Sequence, residues 1–299
     1  MRRVSPSLSR RPPPDPEPWP AEARFADAAG VRTFYRDSPG GGPTLLLLPG
    51  GALDTGVLTW RRVLERLPAH FRIVVPDLPG FGRSAAPDAA YTTAWYTRWL
   101  AAFVDALELE PFALGGSSMG AAVALAYALE RPDRVRRLVV TGAYGVQERV
   151  PFHEAAHLLA RVPGAWRIAR RVLLAPGVLP AALRLAVHDD RRVTAALVDD
   201  ARAGLAPPHA LRAFQAWLAH ELGPHACATD LRPALPRLRV PTLVLHGRRD
   251  ALLPFRHAEA AARAIPGARL LAFEAGHLVP RECPDDTTEA IRAFVEDER

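Results

Sequence analysis

A chain of 299 residues, 49% hydrophobic and 23% charged, has the composition of a soluble globular protein and the length for one large core. Its formal charge is +6 and all 38 of its basic residues are arginine. The Arg-Arg pairs at 61–62, 136–137, 170–171, 191–192 and 248–249 fall in different segments, which argues against a nucleic-acid stripe. Two cysteines, Cys227 and Cys283, are too few for a disulfide framework and lack metal-ligand spacing. No apolar leader follows Arg2 and Arg3, so a cytoplasmic protein without a membrane span is expected.

Residues 1–21 read as a proline-rich tail, because Arg10 to Pro20 cannot form regular hydrogen-bonded structure; Trp19 is its one candidate docking residue. Arg24–Asp27 and Val31–Arg36 flank a turn at Ala29-Gly30 and read as an antiparallel edge hairpin. Thr44–Leu48 is a continuous apolar run, as in a strand buried on both faces, and Pro49-Gly50-Gly51-Ala52 ends it. A helix over Trp60–Leu67 follows, then a strand at Phe71–Val75 and a second helix over Trp95–Leu109. Phe112–Ser117 is a strand, Met119–Leu129 a helix, and Val135–Val140 another strand. The rhythm then stops. Residues 146–231 carry helical patterns broken by Pro163-Gly164, Pro176-Gly177 and Pro207-Pro208, without a convincing strand. Strands resume at Val240–Leu245 and Ala268–Phe273, each followed by a helix, the last over Asp285–Val295. The fold class is therefore α/β, a doubly wound, mostly parallel sheet over residues 22–145 and 232–299, with an all-α insertion at 146–231.

The chemistry centres on Phe112 to Tyr127. Gly116-x-Ser118-x-Gly120 sits between a strand and a helix, where a serine on a sharp turn is thrust out at a helix N-terminus. Ser117 competes, but only Ser118 has glycine two residues away on both sides. A serine hydroxyl needs a base with a pKa near 7 and a carboxylate to orient that base. Two later strand ends supply them: Asp250 in Gly247-Arg248-Arg249-Asp250, and His277 in Glu274-Ala275-Gly276-His277.

Together these motifs resemble the α/β-hydrolase superfamily, specifically its capped members with a serine nucleophile, over residues 22–299. Asp77-Leu78-Pro79-Gly80-Phe81-Gly82-Arg83-Ser84 resembles its D-x-x-G-x-G-x-S loop, and Leu48-Pro49-Gly50-Gly51 its oxyanion loop. The resemblance implies a Ser118–Asp250–His277 triad, oxyanion donors at the N–H groups of Met119 and of Gly51 (with Ala52 as the alternative), and a lid made by the insertion. Where the family often has His-Gly, this chain has Pro49-Gly50. A carboxylesterase-like acyl hydrolase is implied, acting on a small apolar ester without a cofactor or metal. Cleavage of a C–C bond in a β-diketone, of a thioester or of a lactone stays open, as do acyl transfer, metabolite cyclisation and ligand binding without turnover. Phe152, Trp166, Phe214 and Trp217 are the candidate pocket residues. Thr141-Gly142-Ala143, where some members place the acid, has no carboxylate.

Rival readings are weaker. His153-Glu154-Ala155-Ala156-His157 is a literal H-E-x-x-H, but it lies in the insertion, and catalytic zinc needs three protein ligands. Asp285 and Asp286 open a helix, where acids complement its dipole. His246 reads as a packing residue, Asp77 as a loop stabiliser, and Arg248 and Arg249 as surface pairing. Gly80-x-Gly82 lacks the third glycine and the lysine of a phosphate loop.

Overall fold

A computed structural model describes residues 21–297 apart from residue 39 and residues 68–70. The expected tail, with Trp19, thus falls almost wholly outside the described residues. Eight strands form one sheet in the order β1-β2-β4-β3-β5-β6-β7-β8. They are β1 (Glu22–Ala28), β2 (Val31–Ser38), β3 (Thr44–Leu48), β4 (Arg72–Pro76), β5 (Phe112–Ser117), β6 (Val135–Thr141), β7 (Thr242–Gly247) and β8 (Arg269–Phe273). The edge hairpin β1–β2 is antiparallel and β2 pairs antiparallel with β4; every pair from β4 to β8 is parallel.

Helices cover both faces. They are α1 (Val57–Leu64), α2 (Thr93–Ala106), α3 (Met119–Glu130), α9 (Phe255–Ala264), α10 (Val279–Glu282) and α11 (Pro284–Val295). The alternation in β3 divides the core. Leu46 and Leu48 join a cluster with Phe103, Leu114 and Val123, whereas Leu45 and Leu47 join another with Trp60, Val63 and Phe294. A leucine run buried on both faces gains roughly 1.5–3 kcal/mol per side chain, which is why Thr44–Leu48 tolerates no polar residue beyond its first.

Between β6 and β7 lie α4 (His153–Ala160), α5 (Ala165–Leu173), α6 (Val178–Leu183), α7 (Ala195–Leu205) and α8 (Arg212–Glu221). They build a third apolar cluster from Leu179, Leu183, Leu197, Leu205 and Leu211, joined by Leu58 and Leu278 of the sheet-bearing part. Arg61 of α1 and Arg281 of α10 both reach the buried Asp200 of α7, at 2.7 and 2.9 Å. No helix among the described residues is long and apolar enough to cross a membrane.

Candidate active site

The three residues of the expected triad stand at the C-terminal ends of β5, β7 and β8, three of four consecutive strands in the sheet. Ser118 lies between β5 and α3 with φ 51° and ψ −115°, a conformation that costs a non-glycine residue about 1–3 kcal/mol. Its neighbours show why the spacing is fixed. A methyl placed on Gly116 would lie 2.5 Å from the Gly120 carbonyl oxygen, and one on Gly120 would lie 2.2 Å from that of Pro49. Only glycine lets β5, α3 and the loop after β3 approach so closely. The turn is held by Ser118 N–H donating to Thr141 O at 2.9 Å and by Tyr144 N–H donating to Ser118 O at 3.2 Å.

His277 is buried and its Nδ1–H donates to Asp250 Oδ2 at 2.8 Å. That bond places the proton on Nδ1 and leaves the Nε2 lone pair as the base. The other Asp250 oxygen accepts the N–H groups of Leu252 and Leu253, both at 2.9 Å. His246, on β7, donates Nε2–H to Leu253 O at 2.7 Å and stands 3.2 Å from Asp250 Oδ2. Burial pushes the Asp250 carboxyl up, but the charge of His277 and the hydrogen bonds of His246, His277 and Leu253 prevail and hold it well below the usual range. It is an ionised carboxylate at any pH at which a histidine can act as a base.

His277 and Ser118 flank one turn, residues 141–144. A methyl on Gly142 would lie 2.9 Å from His277 Cε1 and 3.0 Å from Nδ1, so this glycine backs the imidazole where an alternative acid would otherwise stand. No hydrogen bond joins Ser118 to His277 among the described residues; such contacts tighten when substrate binds.

Opposite the serine is the loop after β3. Gly50 N–H donates to Asp54 Oδ2 at 2.7 Å, and Asp54 also accepts the N–H and hydroxyl of Thr59. Burial pushes the Asp54 carboxyl up against these donors. Asp54 organises the loop that has Pro49 in place of the family's histidine. With Gly50 so engaged, the Gly51 N–H donates to no acceptor among the described residues, and neither does the Met119 N–H at the first position of α3. Two free N–H groups are the kind of donor that can hold an oxyanion.

The four aromatic candidates separate. Phe214 of α8 comes down on the loop: a methyl on Gly51 would lie 2.5 Å from its Cε2 and 3.4 Å from Met119 Sδ. Trp217 is buried beside it, stacked on Phe214 at 5.7 Å and edge-on to Tyr144 at 4.7 Å. Glu221 anchors this helix by accepting the Thr93 N–H at 2.8 Å and hydroxyl at 2.7 Å. Trp166 packs instead into the insertion's own cluster. Phe152 is 87% exposed on the surface, so it lines no closed pocket.

The remaining sequence candidates find structural partners. His153 Nε2–H donates to Gly223 O and His157 Nδ1–H to Leu222 O, which ties α4 to the end of α8, while Glu154 turns out to Arg149. Arg248 and Arg249 face Glu274 at 3.7 and 3.4 Å, and Asp285 pairs with Arg66 at 2.7 Å.

Sequence reasoning did not single out Asp54, Glu221 or Glu282. Glu282 of α10 is buried and accepts the Gly276 N–H at 2.6 Å through one oxygen, and those of His188 and Asp189 at 2.7 and 3.3 Å through the other. Ala186 O accepts the N–H groups of His277 and Leu278 at 2.8 and 3.1 Å. Residues 186–189 of the insertion are thus joined to the histidine loop. The only available signal was position, a carboxylate five residues after His277.

Fold and site define an α/β hydrolase, and the chain belongs to that family: the α/β hydrolase fold model matches residues 43–175. It is 31% identical over 270 residues to a 2-hydroxymuconate semialdehyde hydrolase of Pseudomonas sp., covering 88% of this chain and 89% of that protein. It is 28% identical over 291 residues to haloalkane dehalogenase 2 of Mycobacterium bovis, covering 93% and 96%. Among solved structures it is similar to a thermophilic esterase from Thermogutta terrifontis, with a TM-score of 0.73, 28% identity and coverage of 92% and 98%. The chain is accordingly a hydrolase.

Proposed function

We propose that the protein cleaves a carboxylic ester of a small apolar molecule through an acyl-enzyme on Ser118. The observation that carries this reading is the 2.8 Å His277–Asp250 bond beside a serine on a strained strand-to-helix turn. His277 Nε2 takes the Ser118 proton as Oγ attacks the acyl carbon, and Asp250 stabilises the imidazolium. The oxyanion forms between the N–H groups of Met119 and Gly51. The imidazolium then protonates the leaving group, and water, deprotonated by the same histidine, resolves the acyl-enzyme. The serine also restricts the chemistry. The family's dehalogenases form an alkyl-enzyme ester on an aspartate, which position 118 does not offer.

The apolar substrate class is supported by Phe214 and Met119, the side chains that meet over Gly51. The hydrolase of Pseudomonas sp. supports a second reading, C–C cleavage in a β-diketone-like acid on the same triad. Two free cysteines, Cys227 and Cys283, support a cytoplasmic location. The test is labelling with a fluorophosphonate probe, followed by turnover of p-nitrophenyl esters from acetate to laurate beside 2-hydroxymuconate semialdehyde. Ser118 is expected to be the labelled residue, with ester kcat/KM exceeding that for the semialdehyde. Ester turnover that survives Ser118→Ala would overturn the mechanism, and preference for the semialdehyde would overturn the substrate class.

A further inference from the structure

Ten large apolar side chains are exposed among the described residues, and eight of them fall within residues 152–185. Apolar residues scattered singly over a surface need no explanation, whereas such a concentration marks an interaction site. The helices show how it arises. In α4 the buried residues are His153 and Ala160, which leaves Leu158 and Leu159 facing out at 67% and 64% exposure. Helix α5 has no fully buried residue. At 100° per residue, Trp166 and Leu173 share its inner side, Ile168 and Val172 share its outer side, and Arg167 and Arg171 border that outer stripe. Leu185, just after α6, is 68% exposed.

Charge narrows the choice of partner. Residues 152–185 contain five arginines and one acid, Glu154, which pairs with Arg149. Arg161 donates to the carbonyl oxygens of His157 and Ala219, and Arg170 to those of Leu205 and Ala206, so their charges are not neutralised. Arg167 lies over the Trp166 ring at 4.6 Å. A surface both apolar and cationic matches a partner that is negative at its face and apolar a few ångströms beneath. We propose that the outer face of α4, α5 and the chain through Leu185 docks the enzyme on an anionic lipid surface. It lies on that surface without spanning it, since no described helix is long and apolar enough to cross.

The full-length protein is mixed with phosphatidylcholine vesicles with and without 50% phosphatidylglycerol and sedimented. Binding is expected only to the anionic vesicles and is expected to weaken with salt. Arg167→Gln/Arg171→Gln should lower the partition coefficient about 30-fold, from about 1 kcal/mol per arginine. Leu158→Gln/Leu159→Gln should lower it at least about tenfold. Both variants should keep the wild-type circular dichroism spectrum and kcat/KM for p-nitrophenyl acetate. Binding to neutral vesicles alone would overturn the proposal, as would no binding at all. So would undiminished binding by both variants, which would assign the attraction to Arg2, Arg3, Arg10 and Arg11. A dimer in light scattering that Leu158→Gln/Leu159→Gln dissolves would assign the face to a second copy and refute lipid docking.

Discussion

Gly51→Ala tests whether Phe214 sits on the oxyanion loop in solution. The new methyl would lie 2.5 Å from Phe214 Cε2 and 2.7 Å from Cδ2. Carbon atoms pack at about 3.5–4.0 Å, so the overlap is about 1 Å, and overpacking of this kind costs about 1–3 kcal/mol. Gly51 has no positive φ, so the contact and not the backbone sets the cost. Phe214 is only half-buried and its ring can move away, at the loss of its stack on Trp217, worth about 0.5–1.5 kcal/mol. Urea unfolding of the two single variants and the double variant Gly51→Ala/Phe214→Ala completes a thermodynamic cycle. Gly51→Ala is expected to cost about 2 kcal/mol in the wild-type background and less than about 0.5 kcal/mol in the Phe214→Ala background, a coupling above about 1 kcal/mol. Turnover should follow: Gly51→Ala lowers kcat/KM for p-nitrophenyl butyrate, and Phe214→Ala restores most of it because the backbone N–H at position 51 remains. If Gly51→Ala is as damaging with alanine at position 214 as with phenylalanine, the ring does not rest on this loop and the apolar ceiling over the oxyanion site is wrong.

Two further outcomes test buried carboxylates. Burial pushes the Asp77 carboxyl from 3.8 to about 7, only partly offset by the Arg83 N–H and the charge of Arg36. A raised folded-state pKa means that its stabilising contribution is present below pH 4 and lost as pH rises through 7; about 3 units are worth about 4 kcal/mol. Asp77→Asn should therefore gain on wild type between pH 5 and 8 by up to that amount in urea midpoints, and a pH-independent difference would refute the assignment. Glu282→Gln leaves one acceptor oxygen for three N–H groups, and losing a charge-assisted bond costs about 1.5–3 kcal/mol. The melting temperature should fall by roughly 2–5 °C, with kcat reduced more than KM is raised, because Gly276 precedes the base; an unchanged melt would show that the joint is not formed.

The sheet and the turn at Ser118 were legible because their constraints dictate residue size and polarity at single positions. Gly116 and Gly120 must be small to clear the carbonyls of Gly120 and Pro49, and Thr44–Leu48 must be apolar because both of its faces are covered. What escaped depends on pairings set by the tertiary fold. Phe152 and Phe214 look equivalent in sequence, yet one is 87% exposed and the other rests on Gly51. Asp54 bonds to near neighbours in sequence, Gly50 and Thr59, and what the sequence hides is its burial. His246 read as packing, and its Nε2, bonded to Leu253 O, also stands 3.2 Å from Asp250 Oδ2.

The joint at Glu282 and Ala186 has a consequence for any attempt to re-tailor this enzyme. Exchanging residues 146–231 for the corresponding stretch of a relative would seem a clean way to transplant specificity. It would also remove the backbone that the histidine loop leans on, because Ala186 O accepts the N–H groups of His277 and Leu278, and Glu282 those of His188 and Asp189, across that seam. Such a chimaera should lose turnover even with the triad intact, unless residues 186–189 and 276–282 travel together. The insertion and the histidine loop are therefore one structural part, joined through Glu282 and Ala186.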